Sequence, residues 1–307
     1  MGFTVQILGS GAALPTGQRA PSAQYLQCEN RHFLIDCGEG TQMQFRRFNV
    51  KLQKIKQIFI SHLHGDHFFG LPGLISTMHL LGRTQNLTIY GHPDLEKIIS
   101  GMLEVGGHKM TFEIQFVALK YDSPTLIFED KVLEIWSFPL KHRIPTCGFM
   151  FREKPKEFQL DGEAVKEAGL LIEHFHRLKK GEDIVLENGN KLNHKDFTFP
   201  PKPALSYAYC SDTKYFEDLA NVVSNVDLLY HEATFTEAML ERAKTTFHST
   251  AKQAAKMAQK SNAKMLILGH FSSRYEDTRL HLEEAKSIFA NSVAAEDGML
   301  FDLRKMF

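Results

Sequence analysis

The segment Ser61-His62-Leu63-His64-Gly65-Asp66-His67 places three histidines and one aspartate within six residues. Their offsets exclude a single helical face and suit a tight loop that turns its side chains toward one point. Imidazole and carboxylate donors together favour zinc or a similar first-row divalent ion. Gly65, without a Cβ, is expected to permit a sharp bend between His64 and Asp66. A solvated histidine-rich loop is the plain alternative, and the position of the segment argues against it.

The segment directly follows a short strand, Lys56–Ile60, and leads through Phe68-Phe69-Gly70-Leu71-Pro72-Gly73-Leu74 into a helix expected to run to about Leu81. Strand, ligand loop and helix fix reactive groups on a rigid edge. Other metal-type residues occupy the same kind of place, just past a short apolar strand. His142 follows Phe138-Pro139-Leu140, Asp212 follows Cys210, His231 follows Tyr230, and His270 follows Leu268. A lone histidine after a strand is usually structural. The recurrence is stronger, because strand ends on one edge of a sheet converge on a cleft. Two ions need about seven or eight ligand contacts, and this set supplies them if one carboxylate bridges ions roughly 3.5–4 Å apart. Asp212 is the natural bridge, a two-oxygen ligand amid imidazoles.

The chain has 307 residues, 43% of them hydrophobic, enough for one large α/β domain or two smaller ones. Lys+Arg and Asp+Glu number 36 each, so bulk charge gives no support to nucleic-acid binding, which would need a local patch. Cys28, Cys37, Cys147 and Cys210 are scattered without a CxxC pair, as expected of reduced buried thiols. Met1-Gly2-Phe3-Thr4-Val5 runs straight into a strand, and no apolar run is long enough to span a membrane. The expectation is a soluble cytoplasmic protein.

Further strands are expected at Thr4–Leu8, Ala23–Gln27, His32–Ile35, Leu87–Tyr90, Glu113–Ala118, Leu126–Glu129, Lys131–Phe138, Tyr207–Cys210, Val226–Tyr230 and Lys264–Leu268. Asp36-Cys37-Gly38-Glu39-Gly40-Thr41 reads as a Gly-rich turn opening a helix near Gln42–Phe48, either a phosphate cradle or a plain tight turn. Ser249 is expected to cap a helix reaching about Lys260. Residues 154–203 differ: dense in charge, ending Pro200-Pro201-Lys202-Pro203, with a hairpin Ile184–Leu186, Asn188-Gly189, Lys191-Leu192 inside. They read as an excursion from the main body. No repeat of 20–50 residues is visible, though the alternating strands suggest two similar halves.

With these residues in view the chain resembles ribonuclease Z, the tRNA 3′-processing endonuclease family of the metallo-β-lactamase superfamily. The resemblance covers nearly the whole chain. It rests on Leu8-Gly9-Ser10-Gly11, Asp36 to Gln42, Ser61 to His67, Gly70 to Leu74, Ser211-Asp212-Thr213, His231-Glu232-Ala233-Thr234-Phe235, His248-Ser249-Thr250 and His270-Phe271-Ser272-Ser273-Arg274-Tyr275. The first histidine motif is specific only to the superfamily; its combination with the later three points to ribonuclease Z. The resemblance implies a single domain over 1–307, an α/β four-layer αββα sandwich, with 154–203 as an inserted arm that serves as a tRNA-binding exosite. It implies two zinc ions per subunit, one held by His62, His64, His142 and Asp212, the other by Asp66, His67, Asp212 and His270. Asp66 would also orient the attacking water, His248 would protonate the leaving ribose 3′-oxygen, and Glu232 would orient His248, which leaves His231 structural. The implied reaction removes the 3′ trailer from precursor tRNA, leaving a 3′-hydroxyl on the tRNA and a 5′-phosphate on the trailer. A homodimer is implied too.

Two segments depart from the family pattern. The arm keeps its basic end, with Arg177, Lys179 and Lys180 as expected tRNA contacts, but Ala168-Gly169-Leu170-Leu171 lacks the usual Gly-Pro pair. The early loop Pro15-Thr16-Gly17-Gln18-Arg19-Ala20 lacks the family's lysine and asparagine. Arg274 is a further expected substrate contact. The rival readings are a related two-metal hydrolase of small phosphodiesters or sulfate esters, and an inactive RNA-binding protein. The intact ligand set and the His248/Glu232 pair argue against the second, since binding alone needs neither.

Overall fold

The computed structural model describes residues 2–105, 107, 110–186 and 189–307; Met1 and Asn188 of the expected hairpin turn lie outside the described residues. The chain divides into two compact units, one of Met1–Glu129, Glu134–Phe151 and Leu205–Phe307, the other of Asp130–Leu133 and Arg152–Ala204.

Alternating side chains build the first unit. In Phe3–Gly9 the residues Phe3, Val5 and Ile7 are buried and those between them only partly so, the period-two pattern of a strand with one face on a core. This strand belongs to a seven-stranded sheet, in spatial order Leu300–Asp302, Phe3–Gly9, Ala23–Cys28, Arg31–Ile35, Gln57–Phe59, Leu87–Gly91 and Ile114–Ala118. A second seven-stranded sheet follows the order Ser292–Ala294, Met265–Gly269, Leu228–Glu232, Ser206–Cys210, Thr146–Glu153, Leu133–Leu140 and Thr125–Glu129. The first sheet draws its strands from residues 3–118 with Leu300–Asp302 added at one edge, the second draws its strands from residues 125–294, and each holds a run of parallel strands.

Aromatic rings join the sheets. Phe33 and Phe59 of the first meet Phe149 and Phe151 of the second at centroid distances of 5.4 to 5.6 Å. Such pairs contribute ~0.5–1.5 kcal/mol each beyond the area they bury. Helices cover the outer faces. Leu71–Leu80 turns Leu71, Leu74, Ile75 and Met78 inward at helical spacing against Leu34, Ile58 and Ile60. Ala251–Lys260 presents Ala251, Ala254, Ala255 and Ala258, small enough to lie close on Leu228–Glu232 and Met265–Gly269. Helix, sheet, sheet, helix is the expected αββα sandwich.

Local chemistry moved some boundaries. The helix after His248 is capped by Thr250, not Ser249: Thr250 Oγ1 accepts from Gln253 N while Gln253 Oε1 accepts from Thr250 N. Ser249 Oγ instead donates to the Thr213 carbonyl. Strand Leu228–Glu232 runs past His231, so that residue sits within the sheet beside Cys210 and Leu268. Gly65 is not in the left-handed region; it opens a one-turn helix, Gly65–Phe68, and a Cβ there would lie 2.3 Å from the Phe69 ring. The position is marked by that close approach to an exposed ring and not by a left-handed backbone. The Gly-rich turn spends the Cys37, Gly38 and Thr41 amides on the carbonyls of His67, Ser22 and Gly38, as a plain tight turn does.

The second unit has its own small core of Val165, Leu170, Leu178, Ile184 and Phe197. Asp161 caps the helix Gly162–Glu167 by accepting from Glu163 N and Ala164 N. The helix Ile172–Lys179 follows, then the antiparallel pair Ile184–Val185 and Lys191–Leu192.

Candidate metal centre

The parallel strands of both sheets deliver their C-terminal ends to one place. From the first sheet come Asp36, after Arg31–Ile35, and the His62–His67 loop, after Gln57–Phe59. From the second come Asp212, after Ser206–Cys210, Glu232, ending Leu228–Glu232, and His270, after Met265–Gly269. His142 follows Leu133–Leu140.

The donor atoms form two clusters about one carboxylate. His64 Nδ1 lies 3.0 Å from His62 Nε2 and 3.2 Å from His142 Nε2; Asp212 Oδ2 lies 3.6 and 3.8 Å from those two Nε2 atoms. On the other side His270 Nε2 lies 3.2 Å from His67 Nε2, 3.3 Å from Asp66 Oδ2 and 3.1 Å from Asp212 Oδ1. A tetrahedral ion with bonds of ~2.0–2.1 Å requires donor separations of about 3.4 Å. The separations above lie near that spacing, and the donors of His62, His64, His142 and Asp212, and those of Asp66, His67 and His270, lie within 4.8 Å of one another. Asp212 gives a different oxygen to each, and Oδ1 is a buried carboxylate oxygen with no hydrogen-bond donor, a costly state unless a cation meets it.

Hydrogen bonds behind the donors fix their orientation. Asp36 Oδ2 lies 2.7 Å from His67 Nδ1 and accepts from Ser61 Oγ and Tyr209 Oη; Oδ1 accepts from Ser61 N. The Phe247 carbonyl lies 2.9 Å from His142 Nδ1, Thr234 Oγ1 3.0 Å from His270 Nδ1, and Ser61 Oγ 3.0 Å from His62 Nδ1. Such partners set tautomer and ring angle. The sequence reading missed Asp36, Ser61, Thr234 and Tyr209. Asp36 carried a usable signal, since it too follows a short apolar strand.

Burial depresses His62, His64 and His142 below the ordinary histidine value, holding them neutral and ready to ligate. Burial would lower His67 as well, but the Asp212, Asp66 and Asp36 carboxylates raise it well above the ordinary value. Burial likewise opposes ionisation of Asp66 and Asp212, yet the surrounding imidazoles hold both below the usual carboxylate range. The carboxylates that favour a positive charge at His67 favour a cation there equally, and metal and proton compete for these nitrogens.

Beside the clusters His248 Nδ1 lies 2.9 Å from Glu232 Oε1. Burial works against a charged His248, but Glu232, with Asp212 and Asp66 behind it, raises it to about 9. His231 is buried within its strand, its Nδ1 2.7 Å from the Glu232 carbonyl.

These groups open onto a cavity of about 600 Å³, with Arg274 in its lining. Arg274 Nε donates to Ser272 Oγ, and its guanidinium stacks over Phe235. Leu14 and Pro15 line the cavity too, whereas Arg19 of the early loop donates to the Tyr275 and Glu276 carbonyls. Arg177, Lys179 and Lys180 belong to the second unit and are exposed; Arg177 pairs with Glu182 at 3.3 Å.

A two-sheet sandwich with a histidine–aspartate centre at its strand ends is the metallo-β-lactamase fold. The chain aligns with a metallo-β-lactamase fold protein from Bacillus subtilis at TM-score 0.68 and 19% identity, covering 98% of this chain and 100% of that one. It aligns with human tRNase Z, short form, at TM-score 0.71 and 30% identity, covering 98% and 99%. It is 43% identical over 297 residues to Ribonuclease Z of Parabacteroides distasonis, covering 97% of this chain and 98% of the relative. Ribonuclease Z of Porphyromonas gingivalis is 42% identical over 301 residues, covering 98% and 99%. Residues 3–162 match the family model described as Anti-Pycsar protein Apyc1. The chain belongs to the ribonuclease Z family, and over residues 3–162 also to the family of that model. The model match ends before Asp212, Glu232, His248 and His270, whereas the ribonuclease Z relatives align across them.

Proposed function

We propose that this protein is a zinc-dependent endoribonuclease that removes the 3′ trailer from precursor tRNA, leaving a 3′-hydroxyl on the tRNA and a 5′-phosphate on the trailer. The observation that carries the reading is Asp212, set between two donor clusters, with the His248–Glu232 pair alongside. Binding alone requires no such pair. His62, His64, His142 and Asp212 would hold one zinc, and Asp66, His67, Asp212 and His270 the other. Bound there, the ions would supply positive charge for the phosphoryl oxygens and lower the pKa of a nucleophilic water.

The chain's own residues do the rest. The second oxygen of Asp66 is available to orient the attacking water, while Oδ2 accepts from Ala13 N at 2.7 Å. Glu232 keeps His248 protonated and aimed, and His248 delivers that proton to the departing ribose 3′-oxygen. The second unit, with Arg177, Lys179 and Lys180, serves as an exosite that recognises tRNA by shape through phosphate contacts. Four buried cysteines, none in a disulfide, suit a reducing cytoplasm, and among the described residues no helix is long and apolar enough to cross a membrane. The exposed Leu80, Leu81, Ile98 and Met102, on and beside two contacting helices, support a homodimer.

The deciding experiment sets the metal-loaded protein against a 3′-extended tRNA and a bis-aryl phosphodiester side by side. Cleavage at the trailer junction with the stated ends supports the reading. Turnover of the small diester alone would favour a small-ester hydrolase.

A further inference from the structure

Among the described residues, two arginines of the cavity have no partner for their guanidinium groups. Arg143 directly follows His142, and Arg242 lies on the helix Leu240–Thr246, which ends at Phe247. The two segments are tied together: the Phe247 carbonyl lies 2.9 Å from His142 Nδ1, and Thr246 Oγ1 donates to the Arg242 carbonyl at 2.8 Å. Both arginines are exposed and line the cavity, and among the described residues no carboxylate, carbonyl or ring engages either guanidinium. Arg274 differs, being held by Ser272 and Phe235. Of the acids in the lining, Asp66 and Asp212 belong to the donor clusters, which leaves Glu39 as the one other carboxylate.

Unpaired guanidinium groups in a cleft are suited to an incoming anion, and their fork matches two phosphate oxygens at once. Their location gives that anion a place. Arg143 and Arg242 sit on the His248 edge: the His142 and His248 rings are 5.0 Å apart, and His248 directly follows Phe247. The Asp66 edge is different in kind. It carries Leu14 and Phe69, which are 62% and 63% exposed.

We infer that Arg143 and Arg242 bind the RNA phosphate immediately 5′ to the scissile one. The inference rests on the functional reading above, in which His248 protonates the departing 3′-oxygen. The strand that leaves through that oxygen is the 5′ portion of the RNA, so its next phosphate must pass the His248 edge. The arginines are thus specificity-determining residues that distinguish a polynucleotide from an isolated diester.

The test couples protein and substrate changes. Precursor tRNA carries a neutral methylphosphonate at the phosphate one nucleotide 5′ to the scissile bond, or one nucleotide 3′ to it, and is given to wild type and to R143A/R242A. On all-phosphate RNA the variant's kcat/KM, taken relative to its rate on a bis-aryl phosphodiester, falls about tenfold, the order expected of one charge-assisted hydrogen bond. Its log–log salt slope flattens by about 0.7, the value for one neutralised single-strand phosphate. The 5′ methylphosphonate costs wild type about tenfold and the variant far less; the 3′ methylphosphonate costs both alike. Equal losses from the 5′ substitution, or coupling to the 3′ phosphate instead, would overturn the inference. Should the alanine pair lose its metal, R143K/R242K carries the same test, with the coupling smaller but present and its absence overturning the inference. Wild-type protein that leaves precursor tRNA uncut overturns the functional reading and this inference together. Wild-type cleavage without coupling overturns this inference alone.

Discussion

Replacing Glu232 by glutamine probes the most heavily bonded side chain of the site. Oε1 meets His248 Nδ1 at 2.9 Å and accepts from Thr213 N and Ser249 N at 3.0 Å; Oε2 accepts from Thr234 N at 3.0 Å and Thr234 Oγ1 at 2.8 Å. Five donors converge on two fully buried oxygens. A glutamine has one oxygen, so its NH2 must face a main-chain N–H that cannot turn away. The better orientation keeps the oxygen toward His248, Thr213 and Ser249, and leaves the Thr234 N–H without an acceptor. That orphan costs ~1–3 kcal/mol, and the surviving bonds lose their charge assistance, for a total of about 3 kcal/mol. With an unfolding entropy of ~2.1 cal/mol/K per residue, the melting temperature falls by about 5 °C. The second effect is on His248. Burial lowers it, and the Glu232 charge is the main cause that raises it to about 9. Without that charge its proton affinity drops. A general acid works only while protonated, so the alkaline fall of kcat/KM moves to lower pH. Calorimetry of the metal-loaded variant and a pH–rate profile on precursor tRNA measure both. A variant that melts with wild type and keeps its alkaline limb would refute the reasoning.

Asp212→Ala removes an oxygen from both clusters, so turnover is lost and bound metal falls at both positions; full two-ion occupancy in that variant would sink the bridging assignment. His248→Ala keeps both ions but slows cleavage by roughly 10²–10⁴. The loss shrinks with a nitrophenolate leaving group, which needs no proton, and an equal loss on both substrates would argue for phosphate binding instead. Exchanging residues 156–195 for a short Gly/Ser linker cripples cleavage of precursor tRNA relative to the small diester. Neutralising Arg177, Lys179 and Lys180 together raises KM for tRNA and flattens its salt dependence. A linker protein that folds and processes tRNA at the full rate would remove the exosite from the account.

The donor residues were legible because each follows a run of β-forming apolar residues, so the strand pattern and the chemistry point to the same positions. The strand Thr146–Glu153 was not. Seven of its eight residues are buried, so it shows no alternation to mark it. The polarity of His231 looks like a strand stop, but burial of both faces lets the strand carry it inside. The one-residue error at the cap of Ala251–Lys260 has a similar origin. Ser249 and Thr250 are equally good caps in isolation, and only the partner at Gln253 against the pull of the Thr213 carbonyl on Ser249 separates them. Asp36 reads in sequence only as part of a turn, because its partners, Ser61, His67 and Tyr209, lie 25, 31 and 173 residues away.

Those separations bear on when the protein becomes active. His67 meets His270 across 203 residues, and Asp36 is held by Tyr209. A growing chain that has released only residues 3–118 therefore carries His62, His64, Asp66 and His67 without Asp212, His270 or the Tyr209 hydroxyl that holds Asp36. The hydrolytic centre closes only after the residue-270 strand end has been synthesised and docked. A nuclease built this way has no complete centre until both sheets are in place.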